Sequence, residues 1–215
     1  KMRAPISRGA PSFVPAAEVR GEGIFIQFNE EKLATWTDAH PDYADAFHDA
    51  HKAWRRRRHI DRPESGFPGL RYIAIHSFAH ALMRELALEC GYNAASLRER
   101  IYAKDDDGDG PAMAGVLIYT AAPNSEGTLG GLVRMGRPEY LEQHIGRALE
   151  RLTLCSSDPL CADHMAEKDG ATLHGACCHA CLFAPETSCE RGNRYLDRTL
   201  LVETVKRAHI GWFEN

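Results

Sequence analysis

The stretch His174-Gly175-Ala176-Cys177-Cys178-His179-Ala180-Cys181-Leu182-Phe183-Ala184-Pro185-Glu186-Thr187-Ser188-Cys189 decides how the chain is read. Cys178 and Cys181 form a C-x2-C turn, Cys189 follows after seven residues, and Cys155-x5-Cys161 lies sixteen residues upstream. A C-x2-C turn lets two sulfurs converge on one ion, and zinc takes four soft ligands at tetrahedral corners. Five cysteines in so short a span are hard to explain as packing. In a chain without an export signal they read as metal ligands before disulfides. The sequence therefore predicts one structural zinc ion held by Cys178, Cys181 and Cys189, with Cys155 or Cys161 as the fourth ligand. His164, His174 and His179 are spare donors, and Cys177 points elsewhere if Cys178 ligates. Four protein ligands leave no open position for a reacting water. Few large apolar residues lie between Cys155 and Asn193. Metal binding, which contributes ~10–16 kcal/mol in small zinc modules, must stand in for a core there.

Outward from this stretch the pattern is mixed. Leu141, Ile145, Ala148, Leu149 and Leu152 form a helical stripe with Pro138 near its start. Gly115 to Tyr119 is a continuous apolar run, expected as a strand buried on both faces. Asn124 to Gly131 reads as a glycine-rich turn, and Asp105 to Gly110 as an acidic loop. Ile75, Phe78, Ala79, Leu82 and Leu86 give a second helical stripe ended by Gly91. Ser96 with Glu99 fits a capping box for a short following helix. Tyr43, Phe47, Ala50 and Trp54 mark a helix entered at Pro41, and Ile24 to Phe28 a short strand. Leu196 to His209 reads as a last helix, stopped by Gly211. Few strands and several helices predict an α/β or α+β fold. Residues 1–19 would be an arm and 20–215 one domain, with a zinc module at about 155–193.

The formal charge of -4 excludes a strongly basic nucleic-acid binder as a description of the whole chain, so any such contact must be local. Twenty arginines against six lysines suit bidentate contacts to phosphate or carboxylate, although genomic base composition produces the same excess. No apolar core of a signal peptide lies in Lys1 to Pro15, and no apolar run nears the ~18 residues of a membrane span. A cytoplasmic setting is expected. The opening Lys1 suggests a piece of a longer protein.

Other candidate chemistry is weaker. Arg55, Arg56, Arg57 and Arg58 point all round a helix and fit an exposed helix end, where they complement the dipole. With Trp54, His59 and Arg62 they make the best nucleic-acid patch, Trp54 being either a core residue or a stacking platform. His76 and His80 stand at i, i+4 on a predicted helix, yet no Glu follows the first His as in metalloproteases. A core histidine pair is favoured over a metal site. The rival is a hydrolase or nuclease using His76, His80 and Glu126. Asp105, Asp107 and Asp109 imitate a calcium loop, but Val116 stands where a bidentate Glu is required.

His174 to Arg198, with its Cys-x2-Cys, later Cys189, Gly192-Asn193 and Leu196-Asp197, resembles the end of the MrfA-type zinc-binding (MZB) domain. That domain closes a group of superfamily-2 helicases. The form with His76-Ser77-Phe78-Ala79-His80 and Thr128-Leu129-Gly130-Gly131 is similar to helicase-associated subunits of DISARM antiphage systems. The resemblance implies a zinc-stabilised accessory domain with four cysteine ligands, working beside a DrmA-like superfamily-2 helicase subunit and possible DNA. No Walker A lysine loop is present, so ATPase activity is not expected of this chain.

Overall fold

The computed structural model describes residues 21–105, 110–120, 131–166, 171–208 and 210–213, together with 9, 12 and 13. Among the described residues it has one three-stranded antiparallel sheet and six α-helices, an α+β arrangement. Strands β1 (Gly23–Gln27), β2 (Leu97–Lys104) and β3 (Met113–Thr120) lie in the order β1-β3-β2. The apolar run at 115–119 is the central strand, as its continuity suggested. Its inner residues Val116 and Ile118 are fully buried, while its outer face is only half covered, with Phe25 and Tyr102 in edge-to-face contact at 5.8 Å.

Helix α3 (Gly69–Cys90) packs across the inner face of the sheet and against α5 (Pro138–Thr153). The stripe read from its sequence is the strongest part of a wider pattern, because Leu70 to Met83 is buried on every side. A helix enclosed all round needs partners for its polar residues. Ser77 Oγ meets this need by donating to Ile73 O and accepting from Asp197 N. Gly91, at φ 65°, takes the left-handed conformation that ends the helix.

Helix α2 (Pro41–Arg57) begins at the proline and ends in the arginine run, as its sequence predicts. Helix α1 (Glu30–Asp38) was not evident from periodicity. Asn29 starts it by accepting from Lys32 N at 2.9 Å. Helices α4 (Gly131–Met135) and α6 (Leu160–Asp163) are short.

Two segments differ from expectation. Ser96 and Glu99 do not open a helix. Ala94–Ser96 is a single 3-10 turn and Glu99 lies on β2. There it alternates inward with Leu97 and Ile101 and pairs in register with Ile118, itself opposite Ile24. The last helix expected from Leu196 to His209 is not formed over its described residues, 196–208, where only Arg198–Leu200 makes a 3-10 turn. Asn193 and Tyr195 take positive φ just before it. The segment's backbone bonds go elsewhere: Gly175 N donates to Leu196 O, Arg198 N to Ala176 O, and Trp212 N to Leu200 O. Leu196, Leu200 and Leu201 are buried all the same, which is why their spacing imitated a helical stripe.

Candidate metal centre

Four of the five cysteines converge. Cys155 comes after α5 and its C-cap Leu154, and α6 carries Cys161. Asp158 holds the turn between them, one carboxylate oxygen accepting from Cys155 N at 2.8 Å and the other from Ala162 N at 3.1 Å. The C-x2-C segment folds back through bonds from Cys181 N and Leu182 N to Cys178 O. The sulfurs stand 3.5 Å apart for Cys155–Cys178, 3.7 Å for Cys161–Cys181 and 3.8 Å for Cys178–Cys181. All are free thiols, and all four ligand atoms lie within 4.8 Å of one another. A tetrahedron with zinc–sulfur bonds of ~2.3 Å has edges of about 3.8 Å, so this donor set fits zinc in both chemistry and size.

Cys181 is pushed down to about 6, chiefly by its bond with Cys161, whose own thiol is raised well above the ordinary value by that same bond and by burial. Burial raises the Cys155 thiol as well. Cys177 is turned away: it is buried and donates to Leu196 O at 3.5 Å.

Cys189 lies in a different group, with His76, His80 and Glu99. The i, i+4 spacing puts both imidazoles on the face of α3 that meets β2. His76 Nδ1 stands 3.0 Å from Tyr195 O, and His80 Nδ1 stands 2.8 Å from Leu182 O. Their Nε2 atoms turn inward. His76 Nε2 is 2.9 Å from Glu99 Oε1 and 3.2 Å from Cys189 Sγ, and His80 Nε2 is 3.4 Å from Glu99 Oε1. Burial opposes charge on His76, but Glu99 and Cys189 lift its pKa to about 10, and His80 is raised by the same neighbours. Burial likewise opposes charge on Glu99 and Cys189, yet the two imidazoles hold Glu99 well below the usual carboxylate range and Cys189 at about 6. Glu99 escaped the reading of the sequence. The signal that would have found it is the alternation Leu97, Glu99, Ile101, which puts an acid on a core-facing row.

The arginine run caps the exposed end of α2. Arg56, Arg57 and Arg58 are exposed, while Arg55 is partly buried and donates to Asp61 O at 3.1 Å. Trp54 is half-buried, and two guanidinium groups lie over its ring, Arg58 at 4.0 Å and Arg194 at 5.3 Å. A groove of about 320 Å³ lined by Trp54, Arg58, His174, His179, Phe183 and Arg194 joins this helix end to the cysteine-rich segment. Glu126, the rest of the glycine-rich stretch to Gly130, and Asp106 to Asp109 lie outside the described residues. Asp105 is paired with Arg71 at 2.8 Å.

Residues 78–182 match the model of the MrfA Zn-binding domain (MZB) family, the family expected from the cysteine string. All four converging sulfurs fall inside the matched span, and Cys189 falls beyond it. The chain is also 40% identical over 212 residues to the DISARM protein DrmB of Bacillus paralicheniformis. That alignment covers 97% of this chain and 36% of the relative, so the chain spans about a third of that protein's length.

Proposed function

We propose that this chain is a zinc-stabilised accessory domain of a DISARM-like antiphage defence protein, working in the cytoplasm beside a DrmA-like superfamily-2 helicase subunit and touching DNA through a local arginine patch. The observation that carries the reading is the closed set of four sulfurs, Cys155, Cys161, Cys178 and Cys181. Zinc bound there has no vacant position for a substrate or a nucleophilic water, so it acts by holding the fold. When bound it would supply cross-links between the end of α5, α6 and the C-x2-C turn, in a region short of apolar side chains. Function then belongs to the surface that the ion shapes.

That surface includes the groove beside Trp54. Arg58, just past the end of α2, lines it, and Arg194 brings a further cation from the chain after Cys189. Guanidinium groups over an indole leave little bare ring for a base, which favours phosphate contact over stacking. The DISARM setting rests on the similarity to DrmB, and the place beside a helicase on the resemblance of the His174 to Arg198 string to a domain that closes superfamily-2 helicases. No helix among the described residues is long and apolar enough to cross a membrane. The hydrolase alternative loses ground on burial: His76 and His80 are each 0% exposed, leaving no path for a substrate to their inner nitrogens among the described residues.

The test is a paired measurement on the purified protein. Cys178→Ser should lose zinc and the ability to co-purify with the helicase partner. Replacing Arg56, Arg57 and Arg58 with Ala should weaken DNA binding and leave zinc in place. Retained co-purification after zinc is lost would remove the structural reading of the ion.

A further inference from the structure

We infer that His76, His80, Glu99 and Cys189 form a second zinc site, separate from the four-cysteine site and structural in role. The four residues come from three parts of the chain: the middle of α3, the inner face of β2, and the segment after the C-x2-C turn. Their donor atoms all lie within 4.8 Å of one another, and none of the four residues is more than 8% exposed.

The arrangement of the histidines carries the argument. Each Nδ1 faces a backbone carbonyl oxygen, which only accepts, so each Nδ1 bears the proton. Each Nε2 is then a lone pair turned toward a carboxylate and a sulfur. Hydrogen bonds from Nδ1 to backbone carbonyls are how proteins aim the other nitrogen at a metal. Cys189 Sγ is prepared in the same manner, accepting from Asn193 N at 3.2 Å and Arg191 N at 3.4 Å. Glu99 Oε1 accepts from Glu190 N at 3.2 Å.

Lone pairs gathered in a dry core need positive charge between them. Two protons, one on each Nε2, are the alternative to a divalent ion. They fit the geometry less well. His80 Nε2 makes no hydrogen bond among the described residues, and neither does Glu99 Oε2, although both atoms are buried. Buried polar atoms are rarely left so. A metal ion engages these donors without requiring linear hydrogen bonds. Zinc bonds of ~2.0–2.1 Å to nitrogen and oxygen give tetrahedral edges of about 3.3 Å, near the 2.9 to 3.4 Å found between the imidazole nitrogens and Glu99 Oε1. Two imidazoles, a thiolate and a carboxylate suit zinc and exclude calcium or magnesium, which prefer all-oxygen shells. The two anionic ligands balance the charge of one Zn2+.

This inference does not depend on the proposed function, and the experiment separates the two. Zinc is measured in the purified protein after incubation with zinc and desalting, together with X-ray absorption at the zinc edge. Two ions per chain are expected, with an average shell of five sulfurs to three nitrogen or oxygen donors across both sites. Cys178→Ser should remove the all-sulfur component. Glu99→Gln and Cys189→Ser should each remove the mixed component and leave an all-sulfur shell. One ion per chain with sulfur alone around it overturns the inference, as does a second ion whose shell is unchanged by Glu99→Gln and Cys189→Ser. The wild-type stoichiometry and shell decide the matter even if every variant fails to fold.

Discussion

Asp158 and Arg198 form an ion pair in which the guanidinium is fully buried. Arg198 also donates from Nη1 to Leu152 O, at the end of α5, and Asp158 orders the turn that carries Cys155 and Cys161. One buried arginine thus fastens the chain after the cysteine-rich segment to the base of the four-sulfur site. Removing one partner of such a pair strands the other. Arg198→Met should destabilise the protein by ~3–5 kcal/mol, measured by urea unfolding at fixed zinc concentration. A destabilisation below about 1 kcal/mol would mean that the pair behaves as a surface ion pair.

Adjacent cysteines give a sharp comparison. Cys178 Sγ is among the four converging sulfurs, and Cys177 Sγ is not. Cys178→Ser is expected to abolish zinc at the four-sulfur site, whereas Cys177→Ser keeps the metal and shows only the ~1–3 kcal/mol expected of a disturbed buried group. Zinc content and thermal unfolding of the two variants check this. Equal zinc loss in both would place the wrong sulfur in the cluster.

Gly175 is packed so closely that an added Cβ would lie 1.9 Å from Asp197 Oδ2. Asp197 caps the last 3-10 turn by accepting from Thr199 N and Thr199 Oγ1. Gly175→Ala should displace that carboxylate and cost ~1–3 kcal/mol, as overpacking does. A variant as stable as the parent would show that the turn gives way without penalty.

Acid should release zinc from the four-sulfur site. Thiolates bind the ion and protons compete for them, so affinity falls as pH falls. Release into a chromogenic chelator should therefore be slight at pH about 8 and rise as the solution is acidified to about pH 4. A release curve flat across that interval contradicts the assignment.

For the arginine patch, salt dependence is the telling measurement. Replacing Arg56, Arg57 and Arg58 with Ala should flatten the dependence of log affinity on log salt by ~0.9 for each phosphate that is no longer neutralised. An unchanged slope means that these side chains only solvate the end of α2.

What could be read from the sequence followed local pattern. The run at 115–119 and the stripes of α2, α3 and α5 were visible because burial there repeats with the period of the element. Glu99 was misread because a buried acid interrupts the apolar alternation that marks a strand, and Ser96 supplied a plausible cap. The false helix after Leu196 arose from buried leucines whose backbone pairs with distant residues, a fact no local window contains. The cysteines declared a metal, but Cys189 parts from Cys178 and Cys181 because α3 and β2 present it with two imidazoles and a carboxylate. That is tertiary information.

The linear order of these donors bears on how the chain matures. Cys155 and Cys178 are 23 residues apart, and Cys161 and Cys181 are 20 apart, while His76 and Cys189 are separated by 113. Closing the longer loop costs ~1.5 kcal/mol more in chain entropy than closing the shorter ones. On a ribosome His76, His80 and Glu99 emerge long before their sulfur partner. The cysteine turn can order itself as a nearby unit while they wait. The four-sulfur site can therefore close within one short stretch of chain, whereas the group of His76, His80, Glu99 and Cys189 comes together only when α3, β2 and the segment after the C-x2-C turn have met.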